Sequence, residues 1–375
     1  TEIYTLSLHD ALPILMAAMN GKVDFFLTHD RQIVNRCDDS VVRDGYIIRL
    51  SRGIAPKRTR IDLGPGSILG VGPELNSNIT IYRDGFCITS PHIGNVRNPR
   101  TYEYLRETIE RFGTLIGAGY DLIAHDAHPQ FLSTRYAREL AESSGSELVP
   151  VQHHKAHIAA TTRRPCIGIA IDGVGYGEDA TIWGGEIFAG EAPGYRRIGH
   201  LETVPMPGGD LATRFPERML YGMLPEAETA DILSSRGWTD IEMGVLDTQL
   251  SKGINVARTS STGRVLDAAS ALLGICRERT YDGEPAMKLE SRAAGGKPEP
   301  WDLVYGRDGD CEILSTRSLL KTALSRVGRS GTDDIREIQD IAASFQFNLA
   351  RGIAGLAIHA AQDLDIPLVA LSGGV

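Results

Sequence analysis

Short apolar runs bounded by turn residues alternate along this chain with longer stretches in which apolar residues recur every three or four positions. The short runs predict buried strands at residues 68–72, 79–82, 86–89, 121–124, 148–151, 167–171, 181–183 and 367–371. The longer stretches predict amphipathic helices at residues 99–117, 134–143, 259–274, 281–290 and 334–363. Strands that alternate with helices in this way favour an α/β fold.

Turn residues and changes in composition divide the chain into four segments. Residues 1–15 look like translated sequencing-adapter read-through. A signal peptide is the alternative, but no basic region precedes the apolar stretch and polar residues interrupt it. Residues 16–56 have the pattern of the end of a domain, and residues 57–66, with a basic cluster, glycines and a proline, predict an interdomain linker. A further domain is expected over residues 67–375.

The composition argues against membrane and nucleic-acid partners. Of the 375 residues, 42% are hydrophobic and 23% charged, and the formal net charge is -9. The longest apolar runs are too short to cross a bilayer, and an acidic chain lacks the excess of lysine and arginine that attracts nucleic-acid phosphates. The five cysteines are scattered without a Cys-x-x-Cys pair, which suits a reducing compartment. We therefore predict a cytoplasmic protein.

The segment 151–160, Val-Gln-His-His-Lys-Ala-His-Ile-Ala-Ala, is the leading candidate for a metal site. If this segment is a helix, His153 and His157 lie four residues apart on one face, where two imidazoles can bind one ion. A polar helix end with solvated histidines has the same spacing. His154 lies about 100° away around the helix, so we treat it as a catalytic candidate behind the ligands or against the substrate.

The strand at 167–171 runs into Asp172 and a glycine-rich turn. A dinucleotide-binding motif is excluded, because Glu178 stands where a third glycine is needed and strand signals follow instead of a helix. A hairpin with an acidic residue at the end of its first strand fits the phosphate-binding turn of actin-like ATPase folds. Asp172 then offers a third metal ligand and a catalytic carboxylate beside the two imidazoles. The predicted phosphate contacts in this turn are Gly173, Gly175 and Gly177.

Two more turns are expected to contact a nucleotide. The turn at 72–78 offers backbone N–H groups and small polar side chains that suit a phosphate, although an ordinary hairpin has a similar composition. The strand at 367–371 ends in a Ser-Gly-Gly sequence, where glycine would let the backbone approach an adenosine. The predicted contacts in these two turns are Asn76, Ser77, Asn78, Ser372, Gly373 and Gly374.

A further catalytic candidate, His128, follows the strand at 121–124. Polar residues at the carboxyl end of a strand are well placed to face a cleft. His128 lies in the string Asp-Ala-His-Pro at 126–129, which also carries a family resemblance.

Several strings of residues resemble the HypF family of hydrogenase-maturation carbamoyltransferases and occur in the same order. They lie at residues 28–43, 126–137, 205–214, 259–274 and 281–290. The chain departs from the family with Phe-Pro-Glu-Arg-Met at 215–219, where Glu-Pro-Trp-Arg-Met is usual. The resemblance implies a two-lobed α/β domain of the actin-like ATPase (ASKHA, TsaD-like) class at 67–375, truncated at its C-terminus. It also implies the C-terminal end of a YrdC-like α/β domain at 16–56.

The resemblance implies an ATP-dependent carbamoyltransferase. In the family, carbamate from carbamoyl phosphate is joined to ATP as carbamoyl-adenylate, and the carbamoyl group passes to the C-terminal cysteine of HypE. The implied cofactors are ATP, a divalent metal that is zinc or iron, and Mg²⁺ for adenylation. The family's acylphosphatase-like domain, zinc-finger cysteines, most of the YrdC-like domain and a last aspartate metal ligand are not in this sequence. We therefore expect this chain alone to be incomplete.

The resemblance also assigns individual residues. Those expected at the edge of the YrdC-side adenylate pocket are Asp38, Asp39, Ser40 and Arg52, with Arg52 as a phosphate-side cation. Those expected around the ribose and base are Asp267, Gly283, Glu284 and Glu290. The alternative for Asp267 is that its side chain caps a helix. The alternative for the four residues of the adenylate pocket is a capped turn with surface ion pairs.

Three other functions stay open at this point. An O-carbamoyltransferase acting on a small molecule resembles the same catalytic domain, but places the YrdC-like unit after it. An actin-like kinase would share the phosphate turns without needing a two-histidine metal site. A nucleotide-gated interaction module would bind HypE without transfer.

Overall fold

The computed structural model describes residues 16–17, 19–27, 36–117, 119–330 and 334–374. The chain divides into two units, Thr1–Val151 and Gln152–Val375. The expected leader at 1–15 and the stretch 28–35 of the YrdC-like string lie outside the described residues.

The described part of the first unit contains eight strands and two long helices. The strands are β1 (Val41–Arg43), β2 (Tyr46–Arg49), β3 (Lys57–Arg60), β4 (Ser67–Gly70), β5 (Thr80–Arg83), β6 (Phe86–Thr89), β7 (Leu122–Asp126) and β8 (Glu147–Val151), and the helices are α1 (Pro99–Ile116) and α2 (Leu132–Ser144). β1 and β2 form a two-stranded antiparallel sheet, and the others form a six-stranded sheet in the order β3-β6-β5-β4-β7-β8. The parallel pairs β4–β7 and β7–β8 require crossover connections, which the two helices supply.

The ends of α1 follow from its sequence. The side chain of Asn98 accepts a hydrogen bond from the backbone N–H of Arg100, and Pro99 occupies the first turn, where its missing N–H costs nothing. Gly117 ends the helix with a φ of 66°, a left-handed conformation that glycine adopts without strain. The helix predicted at 99–117 is therefore observed almost to the residue.

The basic residues of the predicted linker form an edge strand instead. β3 pairs antiparallel with β6, and its four side chains are exposed. The guanidinium of Arg58 lies 3.8 Å from the ring centroid of Phe86 on β6. Charged side chains suit an edge strand because they discourage pairing with another chain. Residues 57–60 of the predicted interdomain linker thus form a strand, because β6 pairs with them.

The described part of the second unit contains eight strands that form one sheet. They are β9 (Cys166–Tyr176), β10 (Ile182–Gly190), β11 (Arg196–Leu201), β12 (Val204–Pro207), β13 (Val256–Thr259), β14 (Tyr305–Asp308), β15 (Cys311–Leu314) and β16 (Val369–Ser372). Six follow the order β12-β13-β10-β11-β15-β14, and β9 pairs with both β10 and β16. The helices are α3 (His153–Ala159), α4 (Asp210–Arg214), α5 (Pro216–Met223), α6 (Ala227–Ser235), α7 (Asp240–Lys252), α8 (Thr262–Leu272), α9 (Glu284–Ala293), α10 (Thr316–Ser330) and α11 (Ile335–Leu364).

Alternate residues of β9 belong to two different cores. Ile167 and Ile169 pack into the large apolar core of the unit. Gly168 faces the other side, where a Cβ atom would lie 2.7 Å from the Cγ2 of the fully buried Ile158 on α3. Glycine at this position therefore lets α3 lie directly on the strand. Because side chains alternate along a strand, Asp172 shares the face that α3 covers.

Helix α11 is the one helix in the described ranges that is long and apolar enough to cross a membrane. That test uses length and composition alone, and 56% of the apolar window is buried inside the protein. Phe345 and Leu349 of this helix lie in the large core. Burial on this scale is typical of a core helix, which explains its high hydropathy without a membrane.

Candidate metal centre

His153, His157 and Asp172 place three potential ligand atoms next to one another. The Nε2 atom of His153 lies 2.9 Å from the Oδ2 atom of Asp172 and 3.2 Å from the Nε2 atom of His157. The Nε2 atom of His157 lies 3.5 Å from the same carboxylate oxygen. One turn of α3 presents the two imidazoles, and β9 presents the carboxylate on the face beneath that helix.

These separations fit one bound ion. Zinc binds imidazole nitrogen at about 2.0–2.1 Å, so neighbouring atoms of a tetrahedral ligand set lie about 3.3 Å apart. The observed 2.9, 3.2 and 3.5 Å bracket that value. Two nitrogens and one carboxylate oxygen suit zinc or iron, and the choice between them stays open. Among the described residues this is the one such group of three or more potential ligands.

Asp172 is held in its charged form. Burial alone would raise the pKa of this carboxyl group, but its interactions with the imidazoles of His153 and His157 outweigh burial and hold the pKa well below the ordinary value. The backbone N–H of Gly173 also donates to its Oδ1 atom at 2.7 Å. A charged carboxylate is the form that binds a cation, so the site has its acidic ligand ready at neutral pH.

Ser372 also contacts the imidazole pair. Its Oγ atom lies 3.3 Å from the Nδ1 atom of His157, on the side of the ring away from Asp172. Gly373 follows with a φ of 135°, and a Cβ atom there would overlap the carbonyl oxygen of Ile171. Glycine is required here because the backbone of β9 lies against it. The nucleotide contact expected of Gly373 stays a prediction.

Replacing Gly373 by alanine is expected to lower the free energy of unfolding by about 2–3 kcal/mol, because the change combines a forbidden φ with overlap against backbone. Gly145 separates the two effects. It has a φ of 71° and open space around its Cα atom, so Gly145→Ala tests the dihedral alone and is expected to cost about 1–2 kcal/mol. Urea denaturation of both variants measures the difference. Equal losses of unfolding free energy in the two variants would show that the structure relieves the overlap at residue 373 without cost.

His154 is buried behind the ligand pair. Its side chain has no exposed surface, and the amide nitrogen of Gln152 donates to its Nδ1 atom at 3.1 Å. Nδ1 therefore accepts and the ring proton lies on Nε2, which has no hydrogen-bond partner among the described residues. A Cβ atom on Gly175 would overlap this ring, so the strand needs glycine opposite His154.

Burial lowers the pKa of His154 from 6.5 to about 4, which predicts a pH-dependent stability. Between these values the unfolded chain binds a proton that the folded chain excludes, so stability falls as the pH drops from 6.5 to 4. The full effect from this one group is about 3 kcal/mol. Guanidine denaturation between pH 4 and 7, with a chelator present, should give a shallower pH slope for His154→Gln than for the unmodified chain. Identical slopes would contradict the prediction.

A buried carboxylate beside the site was not predicted. Glu186 of β10 is fully buried and accepts hydrogen bonds from the Nε of Arg197 at 2.6 Å and from the backbone N–H groups of Gly184 and Gly185 at 3.0 and 3.2 Å. A Cβ atom on Gly184 would overlap the carbonyl oxygen of Asp172. The hydrogen bonds of Glu186 therefore hold β10 directly against Asp172. The signal in the sequence is a glutamate inside an apolar strand.

The strand that carries Asp172 is longer than predicted. β9 continues to Tyr176, and Gly175 pairs with Trp183 of β10. Gly173 and Gly175 thus lie within the strand, and the hairpin turn begins only at Gly177. The strand was predicted to end at residue 171 because glycine usually marks a turn, whereas here glycine makes room for neighbouring side chains. The phosphate contact expected of these glycines stays a prediction.

Two of the four residues expected around ribose and base are buried and already paired. Asp267 is 2% exposed, its Oδ2 atom lies 2.9 Å from the Nη2 atom of Arg264, and burial raises its pKa to about 6. Glu284 is 4% exposed, and its hydrogen bond to a lysine one turn along α9 lowers its pKa to about 2. Gly283 caps α9, and Glu290 is exposed on it. Their nucleotide contacts stay predictions.

His128 lies in the first unit, after β7. Its ring stacks on Phe131 with centroids 3.9 Å apart, and its backbone N–H donates to Asp126 at 2.8 Å. Its Nδ1 atom accepts from the backbone N–H of Gln130 at 3.2 Å, and burial lowers its pKa. The imidazole of His128 is therefore fixed in position by these contacts and is uncharged at neutral pH.

The turn at 72–78 also belongs to the first unit. The backbone N–H of Ser77 donates to the carbonyl of Gly94 at 3.0 Å, and its buried hydroxyl has no partner in the described ranges. Asn76 has a φ of 48°, and a Cβ atom on Gly72 would lie 2.5 Å from the carbonyl oxygen of Asn78. The turn is folded tightly on itself, and its phosphate contact stays a prediction.

The four residues expected at the adenylate pocket lie together in the first unit. The hydroxyl of Ser40 donates to the carbonyl of Arg52 at 3.0 Å, and the Nε atom of Arg52 lies 3.4 Å from Asp39. Asp38 lies 2.9 Å from the Nδ1 atom of His92, and that hydrogen bond lowers the pKa of Asp38. These groups satisfy one another as in a capped turn, and their role at an adenylate stays a prediction.

Two family models match the chain. The HypF Kae1-like domain matches residues 64–163, and the second subdomain of the Kae1-like carbamoyltransferase domain matches residues 168–375. A probable carbamoyltransferase HypF of Methanocaldococcus jannaschii is 44% identical over 96% of this chain and 48% of its own length. A carbamoyltransferase HypF homolog of Cupriavidus necator is 34% identical over 82% of this chain and 80% of its own length.

A crystal structure of full-length HypF in its phosphate- and nucleotide-bound form is similar throughout. It matches with a TM-score of 0.88 and 30% identity, over 100% of this chain and 58% of that one. These matches confirm the predicted α/β fold of the actin-like ATPase class. The chain spans about half the length of the Methanocaldococcus relative.

Proposed function

The chain belongs to the HypF family of carbamoyltransferases, and from this premise we propose that it carries the carbamoyl-transfer site of [NiFe]-hydrogenase maturation. In the proposed reaction, hydrolysis of carbamoyl phosphate gives carbamate and phosphate, and the carbamate then displaces pyrophosphate from ATP to give carbamoyl-adenylate. The carbamoyl group then passes to the C-terminal cysteine of HypE as the precursor of the cyanide ligands. The observation that supports this most directly is the convergence of His153, His157 and Asp172.

His153, His157 and Asp172 would hold the divalent metal, zinc or iron, which supplies a Lewis acid for the adenylate phosphate or the carbonyl oxygen. Asp172 contributes the one negative charge of the set, because its pKa is held low. Two neutral imidazoles and one carboxylate leave a divalent site with a net positive charge, which suits an anionic adenylate. The second expected cation, Mg²⁺, would serve the adenylation step.

The transfer itself is a displacement at the carbamoyl carbon. A C–S bond forms to the cysteine thiolate, the C–O bond to the phosphate breaks, and AMP leaves with the bonding electrons. A thiolate is a strong nucleophile at neutral pH and an adenylate is a good leaving group, so neither an oxidant nor a strong base is required. His154 stays neutral above about pH 4, and its catalytic role stays a prediction because its ring is fully buried.

A transfer assay tests this proposal. Because the chain covers 48% of the Methanocaldococcus relative, it is assayed alone and as a replacement for the matching part of that relative. Each protein is incubated with HypE, ATP and carbamoyl phosphate, and HypE is then weighed by mass spectrometry. HypE should gain one carbamoyl group with the hybrid protein, and none when ATP or its terminal cysteine is removed. A hybrid that folds, binds ATP and leaves the mass of HypE unchanged would contradict the proposal.

The same assay separates the other functions. Carbamoylation of a small hydroxyl compound, without HypE modification, would favour an O-carbamoyltransferase. Phosphoryl transfer from ATP in the absence of carbamoyl phosphate would favour an actin-like kinase. HypE binding without any transfer would favour an interaction module.

A further inference from the structure

We propose that Ser372 is a positioning residue that fixes the ring of His157 for metal binding. This inference rests on the proposed metal site and goes beyond it, because it assigns a role to a side chain that is not a ligand. It also differs from the nucleotide contact predicted for Ser372 from the sequence.

The strand register delivers Ser372 to the imidazole pair. β16 pairs parallel with β9, so that Ala370 lies beside Gly168 and Ser372 beside Ala170. Ala370 is 7% exposed and packs in the small core beneath α3. Because side chains alternate along a strand, Ser372 lies on the same face as Ala370, where α3 presents His157.

The position of the proposed ion determines which nitrogen of His157 would carry its proton. The Nε2 atom of His157 lies 3.2 Å from the Nε2 atom of His153 and 3.5 Å from the Oδ2 atom of Asp172, so it is the ring nitrogen that would face a bound ion. The proton of the neutral His157 ring then lies on Nδ1, 3.3 Å from the hydroxyl oxygen of Ser372.

The ring form that Ser372 favours is the one a metal requires. An ion held at this site would take the Nε2 lone pair of His157, so the proton would stay on Nδ1 and would need an acceptor. The hydroxyl of Ser372 supplies that acceptor. Such partners of metal-binding histidines orient the ring, and their loss commonly costs 10- to 100-fold in affinity.

The backbone around Ser372 leaves it little freedom to move. The following residue, Gly373, has a φ of 135° and lies against the carbonyl of Ile171. A Cβ atom on Gly374 would lie 3.4 Å from the Oδ1 atom of Asp172. The hydroxyl is thus held between the strand that carries the carboxylate and the helix that carries the imidazoles.

Zinc affinity of the 375-residue chain tests the inference. Competition with a chromophoric chelator should show about 10- to 100-fold weaker binding for Ser372→Ala. Ser372→Thr keeps the hydroxyl and should bind close to the unmodified chain. Ser235→Ala is the matched control, because it removes an exposed serine hydroxyl that bonds to Ile232 of its own helix. Zinc affinity unchanged in Ser372→Ala would overturn the inference.

A second readout needs no metal. Nitrogen NMR of ¹⁵N-histidine in the chelator-treated chain reports which ring nitrogen is protonated, and His157→Gln identifies the signal. The unmodified chain should show His157 protonated mainly on Nδ1, and Ser372→Ala should lose that preference. His157 protonated mainly on Nε2 in the unmodified chain would overturn the inference.

The two readouts separate this inference from the metal site itself. If neither His153→Ala nor Ser372→Ala changes the zinc affinity, the proposed metal site is contradicted. The NMR measurement then still tests whether Ser372 contacts His157. Zinc affinity that responds to His153→Ala but not to Ser372→Ala would remove the role of Ser372 alone.

Discussion

Replacing His153 by alanine is expected to weaken zinc binding by about 10²- to 10³-fold. Structural zinc sites bind with about 10–16 kcal/mol, so each of four ligands supplies about 2.5–4 kcal/mol. Each 1.4 kcal/mol is a factor of about ten in affinity. His153 occupies the centre of the group, because its Nε2 atom is within 3.2 Å of both of the other ligand atoms. Chelator competition and the metal content after gel filtration measure the loss.

The control for this variant is His359→Ala. His359 bonds to Glu312 at 3.0 Å and lies outside the group of converging ligand atoms, so its loss should leave zinc affinity unchanged. Equal zinc affinity in the two variants would contradict a metal site at His153. A metal content of about one per chain in the unmodified protein, lost in His153→Ala, is the expected pattern.

Replacing Glu186 by alanine is expected to lower the free energy of unfolding by about 3–5 kcal/mol. The change leaves the guanidinium of Arg197, whose side chain is 15% exposed, without its closest carboxylate. It also removes the acceptor of two backbone N–H groups and of the hydroxyl of Ser260. A buried cation and buried donors without partners are far more costly than a lost surface contact. Urea denaturation, followed by the fluorescence of Trp183 and the other tryptophans, measures the change.

Two further variants serve as comparisons for the loss of stability in Glu186→Ala. Glu191→Ala removes an exposed glutamate just after the same strand and should change stability by no more than about 0.5 kcal/mol. Glu186→Gln keeps an acceptor for the backbone N–H groups but loses the charge opposite Arg197, so it should fall between the two. A loss for Glu186→Ala as small as that for Glu191→Ala would show that water replaces the carboxylate.

The convergence of His153, His157 and Asp172 could be predicted from the sequence because two simple periods place these residues, and their role as metal ligands stays a prediction. The helical period places His153 and His157 on one face, and the strand period places Asp172 on the side of β9 that α3 covers. The same two-residue period, counted from Ala370, places Ser372 on that side. This contact was missed because the Ser-Gly-Gly turn was assigned wholly to a nucleotide.

The elements that sequence could not predict depend on distant partners. β3 is a strand because β6 pairs with it and Phe86 covers one of its arginines, and neither fact is visible in the local sequence. β9 continues past Asp172 because β10 pairs with it as far as Tyr176. Local glycine and charge patterns are weak guides where tertiary pairing decides the structure.

The family resemblance identified candidate site residues, but it did not show which other side chains of this chain they contact. Asp267 was expected at a ribose, yet Arg264 lies beside it and both are almost fully buried. Glu186 and Arg197 lie outside the strings that carried the resemblance. A buried pair of this kind is decided by packing around it, which no single string of residues specifies.

The contact between Ser372 and His157 also bears on the order in which the second unit assembles. The two residues are 215 positions apart, and β16 is the last strand of the described chain to join the sheet in sequence order. Closing so long a segment costs entropy and makes such contacts late events in folding. We therefore expect metal loading to follow the docking of β16, so that a chain still lacking this step would have its histidine pair formed but would not yet retain the ion.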